Sequence, residues 1–232
     1  MIRGFYTATS GLVSQQTNLN VIANNMANSG TTGFKPQHVA FSSLLHERIN
    51  GGGGHAISVG HGIKTEKTDI DFTQGSLIET GMPYDHAILG EGFFALESIK
   101  DGQIFYTRDG SFQVGLEGRR GFLTDAFGNY VLNDRERKIE VGENYDHNQI
   151  GIFNFSNPYG LEKIGGGFLP TEISGNAEGI KDPIVKSGYL ENSAVQVAKE
   201  MVRMIEASKG FSFNSRIIQT ADEMERTINQ IR

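Results

Sequence analysis

The chain has 232 residues, a formal charge of −6 and no cysteine. That length suits one sizeable domain, or a domain with extensions. The missing cysteines exclude disulfides and thiolate chemistry, and the acidic balance argues against nucleic acid or an anionic membrane as partner, since both select a basic face.

No apolar run reaches the length of a membrane span. The N-terminal stretch MIRGFYTATSGLVSQQ lacks the apolar core and cleavage site of a secretory signal. No lipid anchor is expected. All five prolines, Pro36, Pro83, Pro158, Pro170 and Pro183, fall between residues 36 and 183, and 24 of the 30 glycines lie between residues 36 and 187. Charge divides at the same places, because the central stretch carries the whole acidic excess. The expected segments are therefore 1–35, 36–62, 63–187 and 188–232.

Residues 1–35 repeat Phe5, Leu12, Leu19 and Met26 at heptad spacing, with Ala8 and Ile22 between them. This predicts an amphipathic helix or a coiled-coil seam. Asn18, Asn20, Asn24, Asn25 and Asn28, with Gly4 and Gly11, make it a weak helix. Ser29-Gly30-Thr31-Thr32-Gly33-Phe34-Lys35-Pro36 ends it. Gly51-Gly52-Gly53-Gly54 reads as a flexible connector within 36–62.

Residues 63–187 read as short β-strands. Ile88-Leu89, Phe93-Phe94-Ala95-Leu96 and Ile104-Phe105-Tyr106-Thr107 are β-prone, and Asp101-Gly102, Asp109-Gly110 and Gly128-Asn129 signal turns. Residues 188–232 form the stronger helix. Val197, Met201, Met204, Ile205 and Ser208 line one face, then Ile217, Ala221, Met224, Ile228 and Ile231 repeat at steps of four and three. Gly210 predicts a weak point or slight bend.

These elements predict an α+β fold: N- and C-terminal helices pairing as a coiled-coil-like stalk around a central, mainly antiparallel β-domain. The N-terminal stripe stabilises nothing until it packs, and the C-terminal stripe is its expected partner. Apolar surface left over marks an interaction site. Copies joined head to tail would give a filament, whereas a monomer could dock both ends on its own β-domain. The pattern leaves both open. In an assembly, a buried Asn24 or Asn25 would fix register.

Chemistry-bearing groups are sparse. His38, His46, His55, His61, His86 and His147 show no zinc-helix spacing. Asp69 and Asp71 alternate on a probable strand, but no nucleophile or oxyanion motif accompanies them, so a solvated face is expected over a hydrolase. Gly90-Glu91-Gly92 reads as a turn, not a dinucleotide loop. Neither a cofactor nor a metal is expected. A β-module binding a peptide or glycan is the competing non-enzymatic reading.

Three groups of strings resemble the flagellar rod and hook protein family. The first is Tyr6-Thr7-Ala8-Thr9-Ser10-Gly11-Leu12, Val21 to Asn28 and Thr31-Thr32-Gly33-Phe34-Lys35. The second is Phe72 to Gly81, Gly90-Glu91-Gly92-Phe93-Phe94 and Tyr106-Thr107-Arg108-Asp109-Gly110-Ser111-Phe112. The third is Gly188-Tyr189-Leu190-Glu191-Asn192-Ser193, Glu200-Met201-Val202 and Ile218 to Met224. They are collinear and span nearly the whole chain. The resemblance implies a subunit of the axial rod, closest to the distal rod type, with the proximal rod type or a paralogue open. A hook protein fits less well, for want of a large extra domain. It further implies a helical homopolymer, contacts with other axial proteins, and uncleaved passage through the flagellar export apparatus, with termini disordered until they pair in the inner wall. The two apolar stripes, with Asn24 and Asn25, are then the expected assembly interface. Met82, Tyr84 and Leu89 depart from the family's pattern in positions expected on the β-domain surface or in turns, and Gly210-Phe211-Ser212-Phe213 departs in the C-terminal helix.

Overall fold

The computed structural model describes residues 2–51, 55–142, 149–180 and 183–231. The chain divides into two compact units, each built from separated stretches of sequence.

The first unit comprises residues 1–27, 36–71 and 195–232. It holds helix α1 (Ile2–Ala27), strands β1 (Gln37–Ser43), β2 (His46–Gly51), β3 (His55–Gly60) and β4 (Ile63–Ile70), and helix α2 (Val197–Ile231). β1 and β4 pair antiparallel with a bulge between Ala40 and Phe41, and β2 and β3 form a second antiparallel pair. The stretch 36–62, expected as a connector, thus carries three strands; residues 52–54 of its glycine run lie outside the described residues. α1 packs against α2 and also contacts β1 and β4. Polar Thr and Ser side chains along α1 turn back on its own carbonyls, as Thr9 Oγ1 does to Phe5 O at 2.8 Å. α2 continues through Gly210 without interruption.

The second unit comprises residues 28–35 and 72–194. Its strands are β5 (Leu77–Glu79), β6 (His86–Leu89), β7 (Phe93–Glu97), β8 (Ile104–Thr107), β9 (Gln113–Glu117), β10 (Arg120–Thr124) and β11 (Tyr130–Val131). There follow β12 (Ile152–Phe155), β13 (Glu162–Ile164), β14 (Gly167–Leu169), β15 (Ala177–Gly179), β16 (Ile184–Ser187) and β17 (Tyr189–Glu191). The main sheet has nine strands in the order β13-β14-β8-β7-β11-β10-β9, with β12 joined to both β7 and β15. β16 pairs with β6 and β17 with β5. Among the described residues all strand pairings are antiparallel, as the β-prone runs and glycine turns predict.

β7 explains where the core lies. Its alternate residues Phe94 and Leu96 join Ile88, Phe112, Leu123 and Ile152 in the apolar core. Phe93 points the other way, edge-on to Phe72 and Phe168 at centroid distances of 5.6 and 5.5 Å. Buried on both sides, β7 reads as a continuous apolar run rather than an alternating one. Gly90 and Gly92, both at positive φ, make the turn that enters it. Tyr84 lies in a turn, half-buried against this core, and Met82 is exposed.

Candidate functional site

The helix pair of the first unit is antiparallel. Gly11 lies against Asn214, Gln15 against Gly210, and Asn25 against Glu200, so numbers fall along α2 as they rise along α1. The seam is small and polar. A Cβ on Gly11 would stand 2.7 Å from Asn214 Nδ2, and one on Gly210 would stand 3.2 Å from Gln15 Nε2. Each glycine makes room for the other helix's amide, which accounts for helix-weakening residues in helical positions. Among the described residues, Ala8, Ser14, Ile22, Asn25, Glu200 and Ala207 are the fully buried ones with side chains on the two helices.

This differs from the expected joining of two apolar stripes. Phe5 is 42% exposed, and Leu12, Leu19 and Met26 are half-buried. On α2, Val197, Met201 and Ile205 are 39%, 50% and 55% exposed while Glu200 and Ala207 are buried. Met204 is half-buried. Ile217, Met224, Ile228 and Ile231 are exposed, and Ala221 is half-buried. The row Val197-Met201-Ile205 lies about a third of a turn from the α1-facing row, given 3.6 residues per turn. Close backbone approach selects small residues at the seam, so the large apolar ones are left beside it.

One polar joint ties three elements of this unit. Asn25, fully buried, donates from Nδ2 to Gln37 O at 2.8 Å and to Glu200 Oε2 at 3.2 Å, and its Oδ1 accepts from Gln37 N at 3.0 Å. Glu200 in turn accepts from Arg203 Nη1 at 2.8 Å. The same Nη1 lies 2.8 Å from His38 Nδ1 on β1. Burial, followed by the neighbouring Arg203, lowers the pKa of His38 from its ordinary 6.5. Asn24 is exposed.

The second unit has its own joint, which the sequence reading missed. Glu191 Oε1 accepts from Lys35 Nζ at 2.6 Å and from Gly75 N at 2.8 Å, while its Oε2 accepts from Arg108 Nη1 at 3.3 Å. All three charged side chains are buried. Lys35 also donates to Thr73 O, and Arg108 Nη2 to Gly90 O. Burial is the leading effect on Arg108 and lowers its pKa, while Glu191 opposes the fall. Gly33, at φ +65°, passes so near the Arg108–Asp109 backbone that a Cβ would stand 2.5 Å from Arg108 C. Lys35, Arg108 and Glu191 each sit in one of the three groups of strings, and the fold gathers them at one point. Lys163 closes the same corner, 3.0 Å from Lys35 O and 3.7 Å above the Phe34 ring. Burial pushes its pKa down to about 8.

The remaining candidates do not converge. Asp69 pairs with Lys67 at 2.8 Å, and Asp71 lies 4.0 Å from His38. His61 faces Glu47, His86 is buried with Nδ1 against Tyr84 O, and His147 lies outside the described residues. No cluster of His, Asp or Glu able to hold a metal occurs among the described residues.

Three family profiles match this chain. "Flagella basal body rod protein" matches residues 5–35, "Flagellar hook protein FlgE/F/G D1 domain" matches 87–152, and "Flagellar basal body rod FlgEFG protein C-terminal" matches 186–231. The flagellar basal-body rod protein FlgG of Agrobacterium fabrum is 35% identical, over 99% of both chains. That of Bacillus subtilis is 33% identical over 97% of both. The flagellar hook protein FlgE of Treponema pallidum is 30% identical over 67% of this chain but only 38% of its own length. With its helices, its β-unit and both buried joints inside the matched span, the chain belongs to the flagellar basal-body rod protein family.

Proposed function

We propose that the chain is a structural subunit of the distal rod, polymerising through α1 and α2 into a rigid shaft and contacting other axial flagellar proteins at its ends. The two helices act as a coiled-coil-like stalk whose outer rows, not its inner seam, make the contacts between copies. The observation that carries this reading is the inversion just described. A seam of Gly, Ala and Asn joins the helices, while Val197, Met201 and Ile205 remain exposed. A row of that kind marks a surface meant for another protein, and a non-closing repeat of one contact builds a filament. Full-length similarity to FlgG proteins favours the distal type. Delivery through the flagellar export apparatus without a cleaved signal completes the reading.

The test is the double variant Met201→Glu/Ile205→Glu, introduced into a strain lacking the wild-type gene. Its circular dichroism should match wild type, and motility should be lost with no rod completed. Full motility from a correctly expressed variant would overturn the assignment of this row.

A further inference from the structure

A guanidinium has hydrogens to give and no lone pair to receive one. Arg203 Nη1 stands 2.8 Å from His38 Nδ1 and 3.4 Å from Nε2, so a fixed cation lies against the ring and disfavours a second positive charge there. Nε2 faces Asp71 Oδ2 at 4.0 Å. The same Arg203 nitrogen holds Glu200 at 2.8 Å, and buried Glu200 holds Asn25, whose amide pairs with the Gln37 backbone of β1. β1 thus meets α2 where the Arg203 guanidinium touches the His38 ring, a contact that a charged ring would oppose.

We propose that His38 is an acid-sensitive catch on the joint between β1, α1 and α2. Protonation sets two cations against each other at this contact. Arg203 is pushed off the ring, and the contact of β1 with α2 at this point opens. Charged groups around the ring are Arg203, Glu200 and Lys199 from α2, Asp71 just after β4, and Asp69, opposite His38 in the β1–β4 register. Glu206 of α2 and the neutral Gln15 and Asn18 of α1 line the cavity beside it. Glu200 and Asp71 favour the charged ring, but desolvation and Arg203 prevail and lower its pKa. With the folded value depressed below 6.5, the unfolded chain binds more protons in between. The contribution of His38 is complete above 6.5 and is lost as pH falls through the folded value.

The test uses the full chain. The His38 ring is titrated by NMR, and amide hydrogen exchange of residues 37–43 and 197–207 is compared at pH 7.5 and pH 5 after correction for intrinsic rates. Expected is a His38 midpoint below 6.5 and at least a tenfold rise in opening of these two stretches at pH 5, with residues 86–97 unchanged. His38→Asn keeps an acceptor for Arg203 and removes the titration, so its exchange should be the same at both pH values. An equal acid response in wild type and H38N, a midpoint at or above 6.5, or absence of protection in both stretches at pH 7.5 would overturn the proposal. None of these results depends on filament assembly, so the readings of the outer rows and of His38 fail separately.

Discussion

At the residue scale, the second unit is organised by one carboxylate serving two cations. Removing Glu191 takes away the carboxylate that Lys35 and Arg108 share, and losing one partner of a buried pair costs about 3–5 kcal/mol. Removing Lys35 instead leaves Glu191 with Arg108 and the Gly75 amide, a loss nearer 1–3 kcal/mol. Urea denaturation should therefore rank Glu191→Ala well below Lys35→Met; equal losses would show that Arg108 does not compensate. Lys163 supplies a pH test at the same corner. Its folded pKa of about 8 lies below its ordinary 10.5, so the unfolded chain binds more protons between them. Wild type should gain stability relative to Lys163→Met as pH rises from 8 to 9.5, and a parallel response of the two proteins would contradict the burial of this amine.

At the element scale, the helix pair depends on what is absent from its seam. Gly11→Ala forces the short Asn214 side chain to move, since its Nδ2, Cγ and Oδ1 all stand within 3.1 Å of the new Cβ. Overpacking of this kind costs about 1–3 kcal/mol, and Asn214→Ala in the same chain should restore most of it. Gly210→Ala meets only the end of the longer Gln15 side chain, and the helix gains about 1 kcal/mol from replacing glycine. Thermal melts should show G210A near wild type and G11A clearly below. Asn25→Leu orphans the Gln37 amide and carbonyl and should cost about 1–3 kcal/mol. Both helices, and the strands over 86–89, 93–97 and 104–107, were legible because periodicity and β-branched or aromatic runs are local signals. The faces of the helices were not. Hydrophobicity assigns the large residues to the seam, whereas close approach selects the small ones. Lys35, Arg108 and Glu191 were equally hidden, being isolated charges that only the fold brings together, and a truncation at 63–187 would remove two of the three.

At the scale of the whole molecule, the first unit carries surface that a single chain does not cover. Gly11 faces Asn214, so Ile2, where α1 begins, falls opposite the stretch near Glu223. About eight residues of α2, some 12 Å at 1.5 Å per residue, run past it. The steps of three and four that run through Ala207, Gly210 and Asn214 continue through Ile217 and Ala221 into Met224, Ile228 and Ile231. The row thus becomes mainly apolar after Asn214, with Ile217 exposed beside α1 and Met224, Ile228 and Ile231 exposed past its first residue. A coiled-coil half without its partner suits a helix from another copy. Residues inside and beyond the pair should then separate two properties. Ala207→Leu overpacks the seam and should lower the stability of the isolated chain by about 1–3 kcal/mol. Ile228→Lys should leave that stability within about 0.5 kcal/mol and abolish rod completion. The comparison needs urea unfolding of both variants beside a motility assay of each in a strain lacking the wild-type gene. If I228K unfolds as early as A207L, the overhang packs within its own chain and is not a surface reserved for assembly.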